Sequence, residues 1–429
     1  MVTVDAASGT RSHAGTAYYQ PNASRPNLTV LTQAQVSKIT FAHRHGKVYA
    51  TGAEFTSFGS TYHVEADHEV LLCCGSFQSP QILELSGIGS KKILEPLGID
   101  VIVENANVGE NLQDHGIVPI SYAVAEGAIT FDSLEIAGAE AAAEADFFGN
   151  QSGLLTALIN SNANLSYQQV DREVGHISPE SISQQTKAAV INAPPGLKKQ
   201  YELLGQSILN TKDSAYQIIY IPVGIEKGFS DGEGTPAPGS WLSFYVAISR
   251  PYSRGSVHAT STDPTVAPLI DPNYLSHPLD LELFSSGALF VQDLATKEPL
   301  ASKLKDGGHA FHPGFSQLTK ATAGEFCKEA LTSEFHPVGS CAMMPEKDGG
   351  VVDPQLKVYG VQNLRVVDAS VFPLEIRNNL QTSVYAVAEK AADIIKGDWR
   401  DSKGGVKNGK REVEVDGSPK PNGKRVRRS

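Results

Sequence analysis

The chain has 429 residues, enough to bury a sizeable core and to form two domains or one interleaved unit. Its 41% apolar and 19% charged residues are ordinary for a folded protein, and a net charge of −11 argues against a nucleic-acid surface. Four cysteines exclude a disulfide scaffold, and no stretch reaches the roughly 18 to 20 continuous apolar residues of a membrane span.

The opening run Val2-Thr3-Val4-Asp5 lacks the apolar centre of a signal peptide. Asn22, Asn27, Asn150 and Asn164 nevertheless each begin an Asn-x-Ser/Thr sequon. Secretion is expected if a signal peptide lies upstream of Met1, and a cytoplasmic location otherwise. Alternating β-branched residues predict strands at Leu28–Leu31, Val36–Ile39 and Val48–Ala50. Val70-Leu71-Leu72-Cys73-Cys74 reads as a short buried strand carrying two buried thiols. A helix follows, with Ser79 as N-cap, Pro80 in its first position and Gly87 closing it. A shorter one starts near Ser90 and stops before Pro96.

Ala137–Phe148 is Ala/Glu-rich and reads as a helix. Ala215–Val223 and Trp241–Ser249 read as long strands of an antiparallel sheet, with Pro194-Pro195 and Pro236–Pro238 in loops. Cys327 and Cys341 are candidates for a bridge. Leu364–Val367 predicts a buried strand, and Thr382–Lys396 an amphipathic helix closed by Gly397. The last 30 residues or so are basic, Gly-rich and too poor in apolar residues to fold. Gly423–Arg428 has the composition of a nuclear address, for which a solvated tail is the simpler reading.

Two places stand out chemically. His336 lies on a turn before Pro337 and Gly339, where an imidazole that titrates near neutral pH can face a cavity. Asn379-Leu380-Gln381-Thr382 leads into the last helix, whose N-terminal amides can face an anion. Weaker candidates have plainer explanations. His309-x-x-His312, near Asp306, has helical metal-ligand spacing, but Gly307-Gly308 and Pro313 oppose a helix there. Gly228-Phe229-Ser230-Asp231-Gly232 spells a hydrolase elbow without the helix that the elbow needs. Gly232-Glu233-Gly234 lacks a third glycine, and His43-Arg44-His45 fits a solvated turn. No Gly-x-Gly-x-x-Gly occurs anywhere.

The segment Gly75–Gly89, with Ser79-Pro80, Ile82-Leu83 and Ser86-Gly87-Ile88-Gly89, resembles the second signature of the glucose–methanol–choline (GMC) oxidoreductases. Val108–His115, Arg254–Val257, Asp271–Tyr274, Phe335–Pro345 and Asn363–Ser370 are similar to further family segments in family order, so the resemblance runs from about Gly9 to Gly397.

It implies a mixed α/β (α+β) fold. An FAD-binding domain would comprise residues 1–115 and 345–397, with an antiparallel-sheet substrate domain inserted at 116–344 and a disordered basic tail at 398–429. It also implies FAD-dependent oxidation of a primary or secondary alcohol, with hydride passing to flavin N5. His336 resembles the base that takes the hydroxyl proton, and Asn379 the partner that hydrogen-bonds the substrate oxygen. Asn exchanges no proton near neutral pH, so His336 would act alone. Val36 resembles the adenine contact, and Asp368, Ala369, Gln381 and Thr382 resemble flavin-binding positions. No metal is implied. The expected partners are a small-molecule alcohol and an electron acceptor, oxygen or a quinone.

Complete members open with a strand, a glycine-rich turn and a helix that hold the pyrophosphate. The resemblance here starts after that unit. The fold is therefore expected to lack its first βαβ unit, and FAD affinity to be badly reduced or abolished. Two other readings stay open: a flavin-free inactive paralogue, and a redox-neutral lyase or cyclase on the same fold.

Overall fold

The computed structural model describes residues 4–5, 7–136, 138–157, 161–224, 240–309, 311–312 and 317–403. The hydrolase-like Gly228–Gly232, Gly232-Glu233-Gly234, Pro236–Pro238 and Gly423–Arg428 lie outside these residues.

A short helix α1 (Gln20–Asn22) precedes a stretch in which Leu28–Leu31 is irregular, not a strand. No described strand pairs with it, and Val30 and Leu31 are exposed. Strands β1 (Gln35–Arg44), β2 (Lys47–Ser57) and β3 (Ser60–Glu65) then form an antiparallel meander, with Val36 opposite Phe55. His45 and Gly46 both take positive φ, as a tight β-hairpin turn requires. His43, Arg44 and His45 are all exposed, as expected, but His43 and Arg44 end β1 and only His45 lies in the expected turn.

Strand β4 (Val70–Leu72) leads into α2 (Gly75–Leu85). This helix begins four residues before the cap expected at Ser79, so Pro80 lies inside it. Proline has no N–H and cannot bond the carbonyl of Ser76 one turn back. Ser340 Oγ donates to that carbonyl instead, at 2.6 Å. The helix start is held by Asp368, whose Oδ2 accepts from Gly75 N at 3.0 Å and from Ser79 Oγ at 2.5 Å. Gly87, at φ +83°, ends α2 as expected. Strand β5 (Ile88–Gly89), the Ser90-capped helix α3 (Lys91–Leu94) and β6 (Val103–Glu104) complete the front.

The middle of the chain contributes β7 (Gly116–Ala123), α4 (Ala139–Asn150), β8 (Ser161–Leu165), α5 (Tyr167–Val174), α6 (Pro179–Asn192) and α7 (Pro195–Leu209). It continues with β9 (Tyr216–Ile221), β10 (Trp241–Ile248), β11 (Ser256–His258), β12 (Leu269–Asp271), α8 (Pro278–Ala295), β13 (Phe311–His312), α9 (Ala323–Ala330) and β14 (Thr332–Ser333). The sheet runs β13-β7-β10-β9-β8, with β14 also on β7, and every pairing is antiparallel. Its apolar cluster joins Tyr122, Tyr216, Phe244 and Val246 to Leu283 and Phe284 of α8. Buried Asp280, in the first turn of α8, accepts from Tyr252 N and Ser253 N, both at 2.8 Å, and from Ser253 Oγ at 2.6 Å.

Strand β15 (Leu364–Val366) pairs with β4 in parallel, and α10 (Gln381–Lys403) closes the described chain. Helix α10 passes through Gly397 because tertiary bonds hold the next two residues. Arg365 Nη2 donates to Asp398 Oδ2 at 2.6 Å, and Trp399 Nε1 to Glu69 Oε1 at 3.1 Å. The tail expected from 398 therefore starts inside a helix.

A second apolar cluster joins Ile39, Leu72, Leu83, Val351, Leu364 and Val366. Cys341 is buried in this cluster and Cys327 in the first, so both are free thiols and no bridge forms. Cys73 and Cys74, expected to be buried, are exposed. Strand β4 is hydrogen-bonded only to β15 among the described strands, and Leu71 next to the thiols is 45% exposed.

Candidate active site

His336 sits on a segment bolted to its neighbours. Gln113 and Val338 exchange backbone bonds at 3.0 and 2.8 Å, and Glu334 N donates to His115 O at 2.8 Å. Asp114 accepts from His336 N at 2.8 Å through Oδ1, and through Oδ2 from Ser333 Oγ at 2.5 Å and from the Tyr274 hydroxyl. From the other side, Ser76 Oγ donates to Pro337 O at 2.6 Å. Gly339 adopts φ +94°, and a Cβ there would lie 2.4 Å from Asn111 O, so the turn requires glycine. Phe335, at φ +64°, swings outward and is 85% exposed, while the His336 side chain is 13% exposed.

The ring nitrogens of His336 are set by a chain of bonds. His115 is fully buried, and burial holds its pKa below the usual histidine range, so its ring is neutral at neutral pH. Its Nε2 lies 3.0 Å from the Ser249 carbonyl, an acceptor only, so Nε2 carries the hydrogen. His115 Nδ1 therefore offers a lone pair to His336 Nδ1 at 3.1 Å, which must be the N–H. His336 Nε2 is left unprotonated, 3.2 Å from the Asn379 amide nitrogen, which can donate to it. The tautomer that satisfies every partner is the one with a basic Nε2.

Asn379 is set just before α10. The first helical rung runs from Val384 N to Leu380 O at 2.9 Å, leaving the amides of Gln381, Thr382 and Ser383 at the mouth without intrahelical acceptors. Asn378 takes φ +63°, and its buried Oδ1 has no hydrogen-bond partner.

The sequence-predicted residues fall into three groups. His336 and Asn379 meet, with Gln381 half-buried and Thr382 exposed in the adjoining helical turn. Asp368 and half-buried Ala369 lie on the turn after β15, tied to the His336 segment by Cys341 N to Ser370 O at 2.9 Å. The Asp368 carboxylate is occupied by four protein donors, the two on α2 and Ser370 N and Oγ, so it positions the turn. Val36 is half-buried in the meander. The His309/His312 pair forms no helix: exposed His309 contacts Gln317, and His312 lies in β13 opposite Ser121.

The sequence assigned no role to His115 or Glu334. His115 lies 221 residues before His336, and nothing local marks either residue as a neighbour of that ring. Glu334 is close to both imidazoles, yet neither of its buried carboxylate oxygens has a hydrogen-bond partner. A separate groove of about 490 Å³ runs between Gln200, Arg254 and Met344, and neither His336 nor Asn379 lines it.

Family models for GMC oxidoreductase match residues 1–117 and 251–388, and the chain belongs to that family. A Monascus purpureus dehydrogenase is 34% identical over 410 residues, covering 90% of this chain and 64% of the relative. A solved FAD-dependent oxidoreductase from Chaetomium thermophilum aligns with a TM-score of 0.78 at 30% identity, over 92% of this chain and 66% of its own. A fungal aryl-alcohol oxidase aligns with a TM-score of 0.77 at 28% identity, over 92% and 65% respectively. The chain thus spans just under two thirds of each.

Proposed function

We infer that the chain carries out FAD-dependent oxidation of a primary or secondary alcohol, with His336 Nε2 as the base. The observation that carries this reading is the fixed tautomer. Ser249 and His115 hold the proton on Nδ1 of His336, so Nε2 stays free beside Asn379 at the mouth of α10.

The residues present fit the ring end of a flavin. The first turn of α10 offers backbone amides and a positive dipole end to an anionic ring. The orphaned Oδ1 of Asn378 is an acceptor that a ring N–H would satisfy. FAD, when bound, supplies the hydride acceptor. His336 takes the hydroxyl proton at Nε2, and the Asn379 amide holds the substrate oxygen beside it. Having no titratable proton, Asn379 orients the substrate without competing as a base. Asp368 supports the site through the start of α2, and Gln381, Thr382 and Ala369 would hold the cofactor largely through backbone groups. In this reading residues 1–115 and 345–397, including Val36, form the cofactor side and 116–344 the substrate side. The electron acceptor is oxygen, as the name of the aryl-alcohol oxidase relative suggests, or a quinone.

The test is anaerobic addition of a primary aromatic alcohol to the FAD-loaded protein. Bleaching of the oxidised flavin band is expected. A band that stays intact through a panel of primary and secondary alcohols would contradict the reading.

A further inference from the structure

With Nε2 of His336 assigned to the alcohol, its other nitrogen faces a second cluster. His115 Nδ1 and His336 Nδ1 are 3.1 Å apart, and Glu334 Oε2 lies 3.7 and 3.6 Å from them. Those carboxylate distances are too long for hydrogen bonds. The Glu334 side chain is only 8% exposed, and neither oxygen has a donor. Burying a carboxylate without a partner is costly, so its orientation calls for a positive charge at this point. From those three separations, the point in their plane equidistant from the three atoms lies about 2.0 Å from each, the bond length of zinc to imidazole and carboxylate.

We propose that His115, Glu334 and His336 form a site for a divalent transition cation of the zinc type, and that its occupation switches off the base. Two imidazoles and one carboxylate are the donor set such an ion accepts. Magnesium and calcium require six or more oxygens, which the cluster does not supply. The outer partners are in place: Ser249 O holds His115 Nε2–H and so aims Nδ1 inward, and Asn379 meets the far nitrogen of His336. A cation binding His336 Nδ1 displaces the hydrogen there. The neutral imidazole then carries its hydrogen on Nε2, with no net proton gained or lost by the ring. An Nε2–H cannot take a proton from an alcohol. The Asn379 amide, turned over, accepts from it through its oxygen. The loss of activity rests on the reading of His336 as base; the cation site does not.

The probe is zinc chloride, titrated calorimetrically into the FAD-loaded protein and into Glu334→Gln. One zinc per chain is expected, reversed by EDTA, not reproduced by magnesium, and weakened at least tenfold in Glu334→Gln. Zinc-edge absorption on the unaltered protein should show two imidazoles and one carboxylate, a readout independent of how the variant folds. Equal isotherms for the two proteins with equal melting temperatures, or a zinc shell without imidazole, would overturn the site. In the alcohol assay, zinc should slow flavin bleaching in proportion to its occupancy, and full activity at full occupancy would overturn the switch. If no alcohol bleaches the flavin, the isotherm and the edge spectrum still decide the site.

Discussion

His115 Nδ1 and His336 Nδ1 face each other at 3.1 Å, so one nitrogen must donate and the other accept. Ser249 decides which, by accepting from His115 Nε2. His115→Leu keeps an apolar group in the buried space and removes the acceptor. We expect kcat for alcohol-driven flavin reduction to fall at least about tenfold with KM little changed, the signature of a wrong tautomer. His115→Asn, which restores an acceptor oxygen, should recover part of the loss. Lower stability with unchanged kcat would mean that His115 is only a packing residue.

Pro80 and Ser340 make a sharper structural test. Ser340 Oγ satisfies the Ser76 carbonyl that Pro80 leaves without a helical donor. Ser340→Ala should cost about 1–3 kcal/mol in denaturant unfolding, the penalty for an unmet buried carbonyl. In a Pro80→Ala background residue 80 has an N–H for that carbonyl, and the same change should cost markedly less. Equal costs in both backgrounds would refute the pairing.

Arg365 is 2% exposed and donates to Glu69 Oε2, Gln355 O and Asp398 Oδ2, each at 2.6 Å. It joins β15 to the C-terminal part of α10. Arg365→Ala removes the cation from the buried Glu69 carboxylate, leaving Trp399 Nε1 as its donor, and a loss of roughly 3–5 kcal/mol is expected. Amide exchange should rise from Gly397 onward, where the helix is held by these bonds rather than by its own sequence.

His258 gives a pH dependence. Its ring lies between Glu110, at 3.2 Å, and buried Glu84, at 2.8 Å, and these bonds raise its pKa to about 9. The imidazolium is favoured in the folded state, so its stabilisation is complete below about pH 6.5 and is lost as pH rises through about 9. Melting temperature should decline across that window in the native protein. The decline should be smaller in His258→Phe.

What could be read in the sequence was local. The strand-like runs that predicted β9 and β10 and the signature around Gly87 survive intact, because strand pairing and a left-handed helix end are written in neighbouring residues. The start of α2 and the end of α10 were misjudged for the opposite reason. Pro80 and Gly397 are breakers locally, and each is overruled by a distant partner, Ser340 in one case and Arg365 in the other. Leu28–Leu31 has strand composition but no neighbour to pair with among the described residues. In the candidate site, the turns at His336 and before the last helix drew attention to His336 and Asn379, and the family resemblance gave them their expected roles. His115 and Glu334 were not legible, because their roles exist only once β7 and the His336 segment lie side by side.

The most direct test of the account is the rate at which a primary alcohol bleaches the FAD-loaded protein anaerobically, native against His336→Ala, at equal flavin occupancy. With Nε2 as base, the variant should be slower by about 100-fold or more. Equal rates in the two proteins would show that the proton leaves by another route and that His336 is not the base.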